Sequence, residues 1–290
     1  MAKLRRQWRA ICLNNSGSAL VRQFCERSGL PIASPEEVMS TLVETVLRRT
    51  RSGRPQQLES ALGDRNIRQV EFEHDLQCEG LLQPVGTEFR HGFVMRLKRN
   101  TADVRLRFTM CHELCHTLFY ELVPELKFAP HETDDEEERL CNFGAAAFLI
   151  PGPVLRRRVK KLRPCLEALE VLSAEYRVSI PTMLLRLRTL GLWQCEVSLW
   201  HRMTDGRFVL DRLYGGRRLS YQWEDNSVLE PAWNSNKPAC GSSFLFYEDG
   251  RGARRYRPIH YEIRRYADGL MALWGKGITA GRSQVLPLYQ

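Results

Sequence analysis

The sequence predicts an α+β chain in which a small sheet feeds a helix bearing metal-ligand side chains, followed by a basic helix pair and a β-rich carboxy-terminal stretch. Three observations carry that expectation. Two alternating apolar runs precede the string His112-Glu113-Leu114-Cys115-His116, that string lies in an amphipathic run, and five strand-like runs follow residue 193.

Length allows more than one core. The 290 residues, 43% of them hydrophobic, suffice for two or three domains. The composition shifts suggest a helical segment over 1–64, a core over 65–155, a helix pair over 156–192 and a separate domain over 193–290. No stretch approaches the roughly 18 apolar residues of a membrane span, so no membrane partner is expected. The start, MAKLRRQWRAICLNNSGS, is basic but lacks the long apolar region of a secretion signal. Nine cysteines without a C-x-x-C pair suit a reducing cytoplasm better than a disulfide framework.

The first helix signal is Ser34-Pro35-Glu36-Glu37, a serine cap with proline at the first helical position, followed by Val38, Leu42, Val46 and Leu47. A basic break follows at 48–55. Ile67 to Glu73 alternates apolar and polar, and Gly92 to Lys98 is a second apolar run, so both are expected strands. Gly80 and Pro84-Val85-Gly86 punctuate the interval as turns. Cys111, Leu114, Cys115, Leu118, Phe119 and Leu122 then form one apolar stripe, with Thr109 as the expected cap of its helix.

On that helix, with about 3.6 residues per turn, positions four apart share a face. His112 and His116 can therefore grip one metal ion while Glu113 stands beside it as a base. Catalytic zinc usually takes three protein ligands. The acidic run 132–138 leads into a small-residue helical segment ending at Ile150-Pro151, and a carboxylate at its start would reach the metal. Glu138 is the better candidate because Asn142 lies one turn later, suited to orienting a ligand histidine; Glu137 is the runner-up. Tyr120, His91 and His131 have the chemistry to stabilise an oxyanion, and nothing local separates them.

The segment Arg107 to His116, with Glu138-Arg139-Leu140-Cys141-Asn142 and the alanine-rich run to Pro151, resembles the ImmA/IrrE metallo-endopeptidases, most closely the IrrE (PprI) branch. The resemblance spans roughly 65–155 and implies a minimal zincin-like fold, a small sheet plus the H-E-x-x-H helix. It also implies Zn2+, or another divalent metal such as Mn2+, on His112, His116 and Glu138, with Glu113 as catalytic base. Its implied substrate is a helix-turn-helix transcriptional repressor whose cleavage switches on a stress or mobile-element response. The sequence departs from the family at Cys111 and Cys115, where small residues are more usual. These thiols are ligands, oxidation-sensitive neighbours or, the reading favoured here, small buried hydrophobes.

Residues 153–192 carry nine basic and three acidic side chains. Leu166–Tyr176 and Ile180–Leu190, joined by a short turn, have the outline of a helix-turn-helix, which with Arg186 and Arg188 would suit DNA or a partner protein. Beyond 193, strands are expected at 195–200, 208–214, 243–247, 255–265 and 270–274. Their place in the chain resembles the GAF-like sensor domain of the IrrE branch. Trp200, Trp223, Trp233 and Trp274 would serve as core or surface anchors rather than line a ligand cavity. The leading expectation is thus a zinc endopeptidase. Its rival is a DNA-binding transcriptional regulator with a structural or inactive zinc site.

Overall fold

The computed structural model describes residues 18–30, 34–50, 58–86, 88–123, 135–215, 222–223, 228–235, 238–248, 253–275 and 278. The chain divides into two compact units, Met1–Pro151 and Gly152–Gln290.

Among the described residues the first unit has the helices α1 (Ala19–Arg27), α2 (Pro35–Arg49) and α3 (Leu58–Asp64). Helix α2 starts on a full capping box. The Ser34 hydroxyl accepts from the Glu37 N–H while the Glu37 carboxylate accepts from the Ser34 N–H, and Pro35 occupies the first turn. Its buried face, Val38, Met39, Val43 and Val46, packs on the carboxylate helix described below. The helices before residue 65 thus share a core with the segment bearing His112 and His116, and Phe24 stacks on Phe119 with ring centroids 4.1 Å apart.

Three strands follow: β1 (Ile67–Glu73), β2 (Gly80–Pro84) and β3 (Phe93–Lys98), in the order β1-β3-β2. Strand β3 is central, parallel to β1 and antiparallel to β2. Gly80 and Pro84, read from the sequence as turn residues, instead begin and end β2. At a sheet edge the missing N–H of Pro84 costs no ladder bond, so both residues are tolerated there.

Helix α4 (Asp103–Leu122) runs behind the sheet and buries Cys111, Leu114, Cys115, Leu118 and Phe119. It begins six residues before the expected cap. Thr109 is interior and its hydroxyl donates to the Arg105 carbonyl, while Asp103 supplies negative charge to the first turn. Helix α5 (Asp135–Leu149) crosses α4 through small residues. At Gly144 a Cβ would lie 2.5 Å from Cys115 Sγ and 2.9 Å from Met39 Sδ, so only glycine permits this approach. Buried Arg65 ties α4 to the sheet, its Nε donating to Thr117 Oγ1 at 2.9 Å and its Nη2 to the Thr117 carbonyl at 3.0 Å.

The second unit contains α6 (Gly152–Val159), α7 (Leu166–Tyr176), α8 (Ile180–Thr189), α9 (Glu230–Asn234) and strands β4 (Cys195–Arg202), β5 (Phe208–Tyr214), β6 (Gln222–Trp223), β7 (Ala239–Glu248), β8 (Arg254–Tyr266) and β9 (Gly269–Gly275). Arg177 adopts a left-handed conformation (φ 52°) that ends α7, and the Ser179 hydroxyl caps α8 by accepting from the Thr182 N–H. The strands form one antiparallel sheet ordered β5-β4-β9-β8-β7-β6. Trp200 and Trp274 lie in its core, and both indole N–H groups donate to Ser198 Oγ. Trp233 packs against that core from the partly buried margin, and the Trp223 side chain lies outside the described residues. Among the described residues no helix is long and apolar enough to cross a membrane.

Candidate metal centre

The period of α4 places His112 and His116 one turn apart, and their Nε2 atoms converge to 3.1 Å. From α5, Glu138 Oε2 comes within 3.1 Å of His112 Nε2, and Glu138 Oε1 within 3.5 Å of His116 Nε2. These donor atoms all lie within 4.8 Å of one another. Around tetrahedral zinc, with bonds of about 2.0–2.1 Å, neighbouring donors sit roughly 3.3 Å apart. Two imidazoles and one carboxylate at these separations fit a single divalent ion with little rearrangement.

The opposite nitrogens of both rings are held. His112 Nδ1 lies 3.1 Å from Asn142 Oδ1, a contact that holds the ring in one orientation. His116 Nδ1 lies 2.9 Å from Glu137 Oε1, and Glu137 is fully buried. The runner-up ligand therefore faces the far side of the ring, because consecutive helical residues are separated by about 100°. Sequence reasoning missed this role, for which only the helix phase carries the signal. Cys141 Sγ is also 3.5 Å from His116 Nδ1. His116, Glu137 and Cys141 form a second close group of donors, which the imidazole–carboxylate hydrogen bond accounts for.

Glu113 lines the same cleft as the three donors and is only 6% exposed. Its burial holds its carboxyl above the ordinary carboxylate range, partly offset by the two imidazoles and by the Leu82 N–H that it accepts. Burial pulls the pKa of His116 down, but the Glu137 hydrogen bond and the nearby carboxylates outweigh it and raise it. The thiols of Cys111 and Cys115 are fully buried. Burial pushes Cys111 up to about 12 and Cys115 well above its usual value, so both pack as neutral groups.

A cleft of about 660 Å³ opens over these residues, lined on one side by β2 and on the other by Phe108, Thr109, Tyr120, Glu138 and Asn142. Burial, with Glu137 and Glu113 nearby, raises the Tyr120 phenol to about 12, leaving it a hydroxyl that faces the cleft. His91 lies instead beside Gly86, and His131 is outside the described residues.

In the second unit, Arg186 is 2% exposed, so its guanidinium is turned inward. Arg188 donates to the Cys195 carbonyl at 2.7 Å and lies 3.8 Å from Glu196. The expectation of a DNA or partner contact through Arg186 is corrected on this point, since a buried guanidinium cannot reach a phosphate without local opening.

A histidine pair with an adjacent carboxylic base, a third carboxylate from a crossing helix and an open strand edge make up a metallopeptidase-like site. Residues 81–188, which hold every one of these groups except Gly80 of the strand, match the family model described as the IrrE N-terminal-like domain, Peptidase_M78. Among solved structures, a Mycobacterium tuberculosis transcriptional regulator is similar over 88% of this chain and 91% of its own, with 15% identity and a TM-score of 0.50, a likeness of fold. Comparison with curated protein sequences returns no match.

Proposed function

We propose that this protein is a zinc-dependent endopeptidase of the ImmA/IrrE type. The observation that carries the reading is the placement of the Glu113 carboxylate beside three converging donors at the floor of an open cleft. His112, His116 and Glu138 would hold the ion. Zinc bound there supplies Lewis acidity, which activates water near neutral pH and polarises a carbonyl; Mn2+ could substitute.

The chain's own residues do the rest. Glu113 takes the proton of the attacking water and hands it to the departing amine. Its burial raises the carboxyl above the ordinary carboxylate range, which suits a group that takes up and releases a proton. Asn142 and Glu137 fix the two rings so that each presents Nε2 to the ion. Tyr120 offers a hydroxyl to the developing oxyanion. Among the described residues β2 lies at the sheet margin beside the cleft, which supports an extended peptide as substrate rather than a small molecule.

The resemblance at Leu140-Cys141-Asn142 and the following alanines supports the IrrE branch, in which the second unit would be a helix-turn-helix-like segment and a GAF-like sensor. The six-stranded antiparallel sheet of that unit supports the sensor assignment. On the same ground the substrate is a helix-turn-helix repressor in the cytoplasm, cut to release a stress or mobile-element programme. The deciding experiment compares wild type and Glu113→Gln on a candidate repressor. The variant should retain one zinc per chain and lose cleavage, and equal cleavage by both would sink the mechanism.

A further inference from the structure

Strand β2 sits against the catalytic helix more closely than any residue with a side chain would allow. A Cβ at Gly80 would lie 2.7 Å from Glu113 Oε1, 3.2 Å from its Cδ and 2.5 Å from Thr109 Cγ2. The register explains why. The Lys98 N–H donates to the Glu79 carbonyl and the Val85 N–H to the Gly92 carbonyl, each at 2.9 Å. Hydrogen-bonded and non-bonded pairs alternate along an antiparallel ladder, so residues 79, 81, 83 and 85 bond to β3. The backbone groups of Gly80, Leu82 and Pro84 therefore point to the open edge. The outward Leu82 N–H is the one Glu113 accepts. Leu82 and Gly80 also share the face toward α4, where Leu82 packs with Phe93 and Tyr120.

We infer that Gly80 is a positioning residue for Glu113: its missing side chain lets the β2 backbone close on the carboxylate, so that the strand holds the base in place. This rests on the reading of Glu113 as the base beside a metal. The strand cannot easily retreat, because it is pinned to β3 on both sides of Gly80. Thr109 is stiff at χ1 and its hydroxyl is bound to the Arg105 carbonyl at 3.1 Å. An added methyl collides with both Thr109 and Glu113, and the Glu113 side chain, with more rotatable bonds, is the one displaced furthest from its place.

The test uses zinc-loaded full-length protein and acetohydroxamate, a probe that chelates the ion and shares a proton with a neighbouring carboxylate. Glu113→Gln should weaken its binding, and Gly80→Ala should weaken it about tenfold while zinc content stays at one per chain. In the Glu113→Gln background, Gly80→Ala should change affinity by less than about twofold, because the two positions act through one group. Wild-type affinity in Gly80→Ala overturns the inference, as do equal losses in both backgrounds, which would mark a general disturbance of the cleft. If Glu113→Gln leaves binding untouched, the assignment of Glu113 falls first and takes this inference with it. Should Gly80→Ala not fold, the pair Gly80→Ala with Thr109→Ser, measured against Thr109→Ser alone, removes the Cγ2 collision and leaves Glu113 in the way. The same outcomes then decide.

Discussion

Glu137 Oε1 lies 2.9 Å from His116 Nδ1, and Glu137 is fully buried. The contact fixes which ring nitrogen points at Glu138 and His112, and it makes that nitrogen a better donor to a cation. Glu137→Gln keeps the shape but loses the charge, so zinc affinity should fall about 10- to 100-fold while the circular dichroism spectrum stays native. Competition against a chromophoric chelator would read the change. Unaltered affinity would mean that the hydrogen bond serves packing alone.

Gly144 allows α4 and α5 to cross closely. A Cβ there meets Cys115 Sγ at 2.5 Å and Met39 Sδ at 2.9 Å, and both neighbours are fully buried. Gly144→Ala would gain helix propensity worth about 1 kcal/mol, yet overpacking costs about 1–3 kcal/mol and should win. The expected outcome is a net loss of stability in chemical denaturation. Met39→Ala in the same background should recover part of it, and a stabilised single variant would show that the crossing has slack.

The legible parts of this molecule were those written locally. The capping box at Ser34, the alternation at 67–73 and the i, i+4 histidines each need only a few adjacent residues, and each maps directly onto an element. Glu138 could be chosen from the acidic run because a turn separates it from Asn142. The role of Glu137 could not, since it depends on the phase at which α5 crosses α4. Strand β2 was hidden for a related reason. Its glycine and proline read as turn chemistry until the sheet order puts them on an edge beside a helix. Arg186 fits a basic face by sequence position, and only the packing of α8 shows that it points inward.

Glu36 and Arg139 clamp α2 to the start of α5, with Arg139 Nη1 2.5 Å from Glu36 Oε1. Burial works to raise the Glu36 pKa, but the hydrogen bond and charge of Arg139, with further bonds at the helix start, outweigh it and lower it below 4.5. A carboxyl lowered on folding contributes stability above its unfolded pKa and loses it as pH falls through the folded value. Stability should therefore decline as pH drops below about 4.5, and Glu36→Gln should flatten that part of the profile. Partial exposure limits the effect to under about 1 kcal/mol. Urea melts from pH 6 downward would check it, and identical slopes for both proteins would remove Glu36 from the account.

The helix pair α7–α8 keeps a DNA-binding alternative in view, and Arg186 separates the two readings. At 2% exposure its guanidinium is part of the packing between α8 and its surroundings. Arg186→Ala should lower the melting temperature, consistent with a loss of about 2–4 kcal/mol for a large buried polar side chain. Any fall in DNA affinity should appear only to the extent that the protein unfolds. Arg188 is the sharper probe, because its side chain is about a third exposed while it holds the Cys195 carbonyl. If DNA binding were the main role, Arg188→Gln would weaken binding on a folded protein and reduce its salt dependence by about one counterion. The endopeptidase reading expects no such loss. Retained zinc, unchanged repressor cleavage and a salt-dependent DNA defect in Arg188→Gln would together establish DNA binding as a second activity.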